Sequence, residues 1–146
     1  MYKRQVPVIE GVADYFAARI AQTEEKAMYK KIKNISSNKS KKLKNKIFYH
    51  PALEQSWNAT SDFTLSLLWN VRSNFNKVNE LRSRKKQKSL ANFDKILYEA
   101  HFDLHEESTI LEDLTKALVN KCIENCSSKR LGLEVLHKSF EEKGLN

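Results

Sequence analysis

Two pairs of potential metal ligands occur at helical spacing. His101 and His105 are four residues apart, as are Cys122 and Cys126. This spacing places both members of a pair on one helical face, and two His with two Cys make the ligand count of a structural zinc site. In a helical hairpin that turns near Glu107, however, Cys122 would lie about 12 Å beyond the level of the histidines. We therefore predict no metal ligands and no cofactor.

A second candidate pair lies on the last predicted helix. Arg130 and His137 are seven residues apart, which is two helical turns, so they share a face. This pattern resembles that of HEPN-type ribonucleases, which are also small helical bundles. The resemblance implies that Arg130 holds the scissile phosphate and that His137 serves in acid–base chemistry. Leu131 stands where the family pattern has a polar residue. The alternative is two exposed polar residues on a surface helix, and we assign neither as catalytic.

The charge of the chain is unevenly distributed. The 146 residues carry a formal net charge of +8. Residues 1–88 hold 19 basic and 7 acidic residues, a net charge of +12, whereas residues 89–146 hold 7 and 11, a net charge of −4. This asymmetry indicates a polyanionic partner for the basic part. The alternative is that the charges only keep the helices soluble, or that the acidic half binds the basic half.

Most of the positive charge falls in two segments. Lys26 to Lys46 contains nine Lys and no acid, and five of the seven residues from Arg82 to Lys88 are basic. Residues 35–46 lack apolar periodicity, so we expect a flexible basic loop there. Lysines contact phosphates without reading sequence, and such binding weakens steeply with salt. The predicted contacts to nucleic acid or another polyanion are Lys39, Lys41, Lys42, Lys44, Arg82, Arg84, Lys85 and Lys86.

Helices must position these residues. The chain has only three Gly and two Pro, too few for the tight turns of a sheet protein, and its apolar residues recur at three- and four-residue spacing. Pro residues suit the first turn of a helix, and Ser or Thr suits the N-cap. The predicted helices run from Pro7 to about Ile35, from Pro51 to about Arg84, from Ser89, from Thr109 or Ser108, and from Ser127 or Ser128 to Gly144. We favour an unbroken second helix over one that restarts at Ser61 or Asp62.

The sequence thus predicts a single all-α domain, a bundle of four to five mostly antiparallel helices. Antiparallel packing of the first two long helices would put the two basic segments at opposite ends, which favours an extended basic surface over one cleft. An alternative function is that of a structural or adaptor subunit that binds a protein partner or a second copy of itself. Trp69 lies off the main apolar stripe and is either a core residue, which we prefer, or an exposed anchor for that partner.

Several features bear on the compartment. No apolar run approaches the roughly 20 residues that span a bilayer, and no signal peptide precedes the first helix. A spacing of four rarely allows an unstrained disulfide, so two free thiols suggest a reducing, cytoplasmic location. Met1–Gln5 match the translation of a common sequencing-library adapter. We interpret them as non-native and expect the natural chain to begin upstream.

Overall fold

The computed structural model describes residues 6–23, 47–105 and 109–145, and these residues form helices and connecting turns without a strand. The all-α bundle predicted from the sequence is confirmed. The expected continuation of the first helix to Ile35 and the flexible loop 35–46 lie outside the described residues. One 3₁₀ helix spans Pro51–Gln55, and the α-helices are α1 (Pro7–Thr23), α2 (Trp57–Arg84), α3 (Phe93–His101), α4 (Leu111–Asn125) and α5 (Lys129–Glu142).

The central helix starts later than predicted. The chain forms a 3₁₀ turn from Pro51 and is extended at Ser56, whose hydroxyl oxygen accepts a hydrogen bond from the Ala59 N–H at 3.2 Å. Because this N-cap satisfies a free N–H of the first turn, α2 begins at Trp57 rather than at Pro51. The prediction of one unbroken helix from Pro51 is therefore wrong at its start and correct at its end, Arg84.

Caps also set the later boundaries. Asn92, not Ser89, caps α3. The backbone N–H of Ile110 donates to the Asp113 carboxylate at 3.0 Å, so α4 begins one residue later than a Thr109 cap would allow. Ser128 caps α5 as predicted, with its hydroxyl accepting from the backbone N–H three residues on.

The first two α-helices run in the same direction. Gly11 near the start of α1 lies against Ser61 and Thr64 near the start of α2. Further along both helices, the ring of Tyr15 meets that of Trp69 edge-on, with centroids 5.8 Å apart. Both contacts advance together along the two helices, so α1 and α2 are parallel and their C-terminal ends point to the same end of the bundle.

The remaining neighbours alternate in direction. Glu99 of α3 accepts a hydrogen bond from Asn125 at the end of α4, at 2.6 Å, so these helices are antiparallel. On α5, Ser139 accepts from Asn74 at 2.8 Å, and Lys143, just beyond α5, donates to Ser66 at 2.6 Å. Residue numbers rise on α5 as they fall on α2, so these two helices are antiparallel too.

One continuous core joins all five α-helices. Its fully buried side chains include Tyr15, Phe63, Phe75, Ile96 and Leu136. Burying such side chains contributes roughly 1.5–3 kcal/mol each. Within the described part of the chain, none of the helices is both long and apolar enough to cross a membrane.

Candidate nucleic-acid interface

The C-terminal turn of α2 presents the described half of the predicted contacts. Arg82 and Arg84 lie in its last turn, and Lys85 and Lys86 follow directly. Lys86 has a positive φ of 55°, which turns the chain back, and the Arg82 guanidinium Nε donates to the Lys88 carbonyl at 2.6 Å. The last turn of α2 and the turn after it thus form one compact basic projection.

The turn between α4 and α5 lies beside this projection. Ser127 donates its backbone N–H to the Leu90 carbonyl at 2.9 Å and its hydroxyl to the Ser89 carbonyl at 2.8 Å. Since α5 starts two residues later, its first basic residues lie at the same end of the bundle. We call this surface the basic end and define it by Arg82, Arg84, Lys85, Lys86, Lys88, Lys129 and Arg130.

Only part of the positive charge of the basic end is neutralised. Arg84 pairs with Glu80 at 2.7 Å and Arg130 with Glu134 at 3.2 Å, both as exposed pairs one helical turn apart. Such pairs contribute about 0.3–0.5 kcal/mol and break readily. The basic end also has four lysines. Among the described residues, no carboxylate oxygen lies within 4.0 Å of the ammonium nitrogen of Lys85, Lys86, Lys88 or Lys129.

The parallel packing of α1 and α2 overturns one expectation. Antiparallel packing would have sent the end of α1 away from the Arg82–Lys88 segment. Instead, α1 runs toward the same end of the bundle as α2 and ends at Thr23. The predicted contacts Lys39, Lys41, Lys42 and Lys44 lie outside the described residues.

A small polar cleft of about 230 Å³ adjoins the basic end, between α1, α2 and the start of α3. Arg19 and Arg72 line it, together with three asparagines. Arg19 Nε pairs with the Asp94 carboxylate at 2.8 Å, and the Arg72 guanidinium lies 5.3 Å from the centre of the Trp69 ring. The sequence analysis missed both arginines, because each is an isolated basic residue that only the parallel packing brings to the other.

Arg130 and His137 border the same shallow depression on α5. Its floor also carries Glu134, whose carboxylate holds the Arg130 guanidinium. The exposed His137 ring meets Phe140 edge-on, with centroids 6.3 Å apart. No family model, curated protein or solved structure matches this chain. The ribonuclease hypothesis therefore stays a prediction that rests on two residues.

The histidine and cysteine pairs face different parts of the bundle. Asp103 reaches Lys121 at 3.9 Å, so the end of α3 is level with Cys122 and the expected offset of about 12 Å is wrong. His101 instead borders α1, whereas the two thiols face Gly132 of α5. Within residues 6–23, 47–105 and 109–145, no three His, Cys, Asp or Glu side chains are grouped to hold a metal ion.

An aromatic surface lies at the opposite end of α3 from the cleft. The side chains of Tyr98 and Phe102 are 56% and 67% exposed and meet edge-on, and the tilted His101 ring contacts both, with its centroid 4.0 Å from that of Phe102. Ile9 and Phe16 of α1 line the adjoining groove. Trp69 is not part of this surface, because it is half-buried and packs against the core, as the preferred interpretation of the sequence predicts.

Proposed function

We propose that the chain is a binding protein whose basic end contacts the phosphate backbone of nucleic acid or a similar polyanion. The observation that carries this proposal is the convergence of basic residues from two separate segments. The Ser127 hydrogen bonds hold the start of α5 beside the last turn of α2. The arrangement concentrates positive charge on one surface, which raises the local potential for an anionic partner.

The chemistry of the basic end suits binding without sequence preference. The exposed residues among 83–89 are Lys, Arg, Ser and Gln, and residues 82–89 include no aromatic side chain on which a base could stack. Lysine contacts to phosphate displace counterions and carry no base information. We also propose a cytoplasmic location, because a reducing compartment keeps thiols such as Cys122 and Cys126 free.

The decisive experiment measures fluorescence anisotropy of labelled single-stranded RNA and duplex DNA between 50 and 200 mM salt. We expect the affinity of the wild-type protein to fall steeply across this range. Lys85→Gln/Lys86→Gln should lower the slope of log K against log salt for the duplex by about 1.8, since each phosphate contact contributes about 0.9.

The matched control is Lys116→Gln/Lys138→Gln, which removes the same charge from exposed positions outside the basic end. This variant should keep the wild-type slope. An absence of binding at 50 mM salt would refute the proposal, and so would an equal loss of slope in both double variants.

A second candidate function is that of an adaptor or structural subunit, favoured by the exposed aromatic rings of Tyr98 and Phe102. Large exposed apolar surfaces mark interaction sites. Light scattering on the purified protein should then show a dimer that Phe102→Ser converts to a monomer. A monomer at every concentration counts against self-association through this surface.

A further inference from the structure

The two cysteines are close neighbours at the end of α4. The Sγ atoms of Cys122 and Cys126 are 3.3 Å apart, and both thiols are free. Cys122 is fully buried, whereas Cys126 is half-buried and is the C-cap directly after α4. The thiol of a buried residue thus lies in contact with that of a partly exposed residue.

Gly132 on α5 leaves the space that the two thiols fill. A Cβ atom added there would lie 2.5 Å from Cys126 Sγ and 2.9 Å from Cys122 Sγ. Real Cβ atoms do not approach sulfur so closely, so any other residue would push the thiols from their present positions. The close approach of α4 and α5 therefore depends on glycine and keeps the sulfur atoms together.

The separation of the two Cα atoms is compatible with a disulfide. The Cys126 N–H donates to the Cys122 carbonyl at 3.0 Å, so the two residues keep helical spacing. Ideal helix geometry then separates their Cα atoms by about 6.2 Å, inside the range of about 4.4–6.8 Å found for disulfides. Cys126 has a ψ of 137°, so the helix does not continue beyond it. The expectation from the sequence that this spacing rarely allows an unstrained disulfide stays untested, because both thiols are free.

The two thiols differ in acidity. The hydrogen bond from Cys122 lowers the pKa of Cys126, and the same hydrogen bond together with burial raises the pKa of Cys122. A thiolate is the nucleophilic form of cysteine. Cys126 is also the less buried of the two, which makes it the nucleophile and leaves Cys122 as the thiol that keeps its proton.

We propose that Cys122 and Cys126 form a redox-active dithiol that hydroperoxides oxidise to a reversible disulfide within the chain. The Cys126 thiolate attacks one oxygen of the peroxide, the O–O bond breaks, and the other oxygen takes up a proton and leaves as water or an alcohol. The resulting sulfenic acid on Cys126 is attacked by the Cys122 sulfur. The S–S bond forms, and the hydroxyl leaves with the Cys122 proton as water. The two thiols lose two electrons, and the hydroperoxide gains them.

This site is independent of polyanion binding. Disulfides in reducing compartments are usually transient and catalytic or redox-sensing, which fits a pair of free thiols in contact. The adjacent Ser127 ties the turn to Ser89 and Leu90, so oxidation takes place next to the basic end without involving its lysines.

The test treats reduced protein with hydrogen peroxide, blocks the remaining thiols with iodoacetamide and measures the intact mass. We expect a monomer that is lighter by two hydrogens, carries no alkylated cysteine and returns to the dithiol with dithiothreitol. Cys122→Ser should yield a sulfenic acid that dimedone traps, whereas Cys126→Ser should stay reduced. Wild-type product that carries two added oxygens, or that is a dimer joined between chains, would overturn the proposal. So would retention of both thiols under conditions that oxidise Cys122→Ser.

A positioning variant gives a second readout. Gly132→Ala should slow disulfide formation at least tenfold while leaving the helical circular dichroism intact, because its Cβ displaces the sulfur atoms. Disulfide formation at the wild-type rate in this variant would show that the contact between the thiols does not govern the reaction. Should the variant fail to fold, the mass measurement on the wild-type protein decides alone.

Discussion

The phenol hydroxyl of Tyr15 on α1 donates a hydrogen bond to the Asp94 carboxylate on α3, 79 positions further along the chain. The other oxygen of the same carboxylate accepts from Arg19 at 2.8 Å. The Tyr15 ring is fully buried and meets Trp69 and Phe93 edge-on. Two residues of α1 thus hold one carboxylate in the first turn of α3, which fixes α1 against two other helices.

Replacing Tyr15 by Phe should destabilise the fold by about 1.5–3 kcal/mol, because the hydrogen bond it removes has a charged acceptor. Urea unfolding at pH 7 measures this change. Tyr98→Phe is the matched control, since Tyr98 is exposed and should alter the free energy of unfolding little. Equal effects of the two substitutions would show that the Asp94 contact is not stabilising.

The stability should also fall at alkaline pH. Burial, followed by the hydrogen bond to Asp94, raises the pKa of Tyr15 well above its usual value. The folded protein then holds the phenol proton when the unfolded chain has released it. The contribution of the protonated Tyr15 phenol to the free energy of unfolding is fully present below about pH 10 and is lost as the pH rises above that value. Urea midpoints between neutral and alkaline pH should decline less steeply in Tyr15→Phe than in the wild-type protein.

Substitution of Gly11 by Ala should destabilise the protein although it favours an isolated helix by about 1 kcal/mol. The added Cβ would lie 2.8 Å from the Ser61 carbonyl oxygen and 2.7 Å from Thr64 Cγ2, so α1 must move off α2. We expect a net loss of about 1–3 kcal/mol in thermal or urea unfolding. A stabilised variant would contradict the close parallel packing of α1 on α2. Ala13→Gly, at an exposed position of α1, controls for the effect of glycine itself.

Lys143 should show the opposite pH dependence to Tyr15. Its ammonium group donates to Ser66 Oγ at 2.6 Å and to the Ile47 carbonyl at 3.2 Å, and burial lowers its pKa. The unfolded chain therefore binds more protons just below the usual lysine pKa, so stability rises with pH there. Lys143→Met should lose about 1 kcal/mol for the hydrogen bonds and should lack this rise. The exposed Lys138→Met is the control, and an unchanged pH profile in Lys143→Met would contradict the assignment.

The binding-protein proposal also predicts the outcome of a nuclease assay. That proposal assigns no catalytic residue, so we expect labelled RNA to remain intact with the wild-type protein. His137→Ala should then bind RNA with unchanged affinity. Cleavage by the wild-type protein that His137→Ala abolishes would support the ribonuclease hypothesis instead.

Local signals made the helices predictable. Apolar spacing and scarce glycine indicated an all-α bundle, and the Ser128 cap and the stop at Gly144 follow from side-chain chemistry and from a positive φ of 83°. Ser56 is an equally favourable N-cap residue for α2, but the proline at position 51 is the more conspicuous sign of a helix start. The predicted basic residues of α2 do lie together, since they are neighbours in sequence.

Contacts between distant residues could not be predicted in the same way. The parallel packing of α1 and α2 depends on Gly11 meeting Thr64 and on Tyr15 reaching Asp94, and apolar periodicity is the same for either helix direction. The proximity of the two thiols depends on Gly132, which sequence alone shows only as a weak helix former. The direction of α1 relative to α2 and the close approach of α4 to α5 thus depend on contacts between distant residues, which the spacing of apolar residues does not reveal.

The edge contact of Tyr15 with Trp69 supplies the protein with a built-in optical reporter. Trp69 is half-buried between this ring and the Arg72 guanidinium, whereas Trp57 is 39% exposed at the start of α2. Detachment of α1 would remove the Tyr15 ring from the Trp69 indole. Tryptophan emission in Trp57→Phe therefore follows the docking of a single helix, without any attached dye.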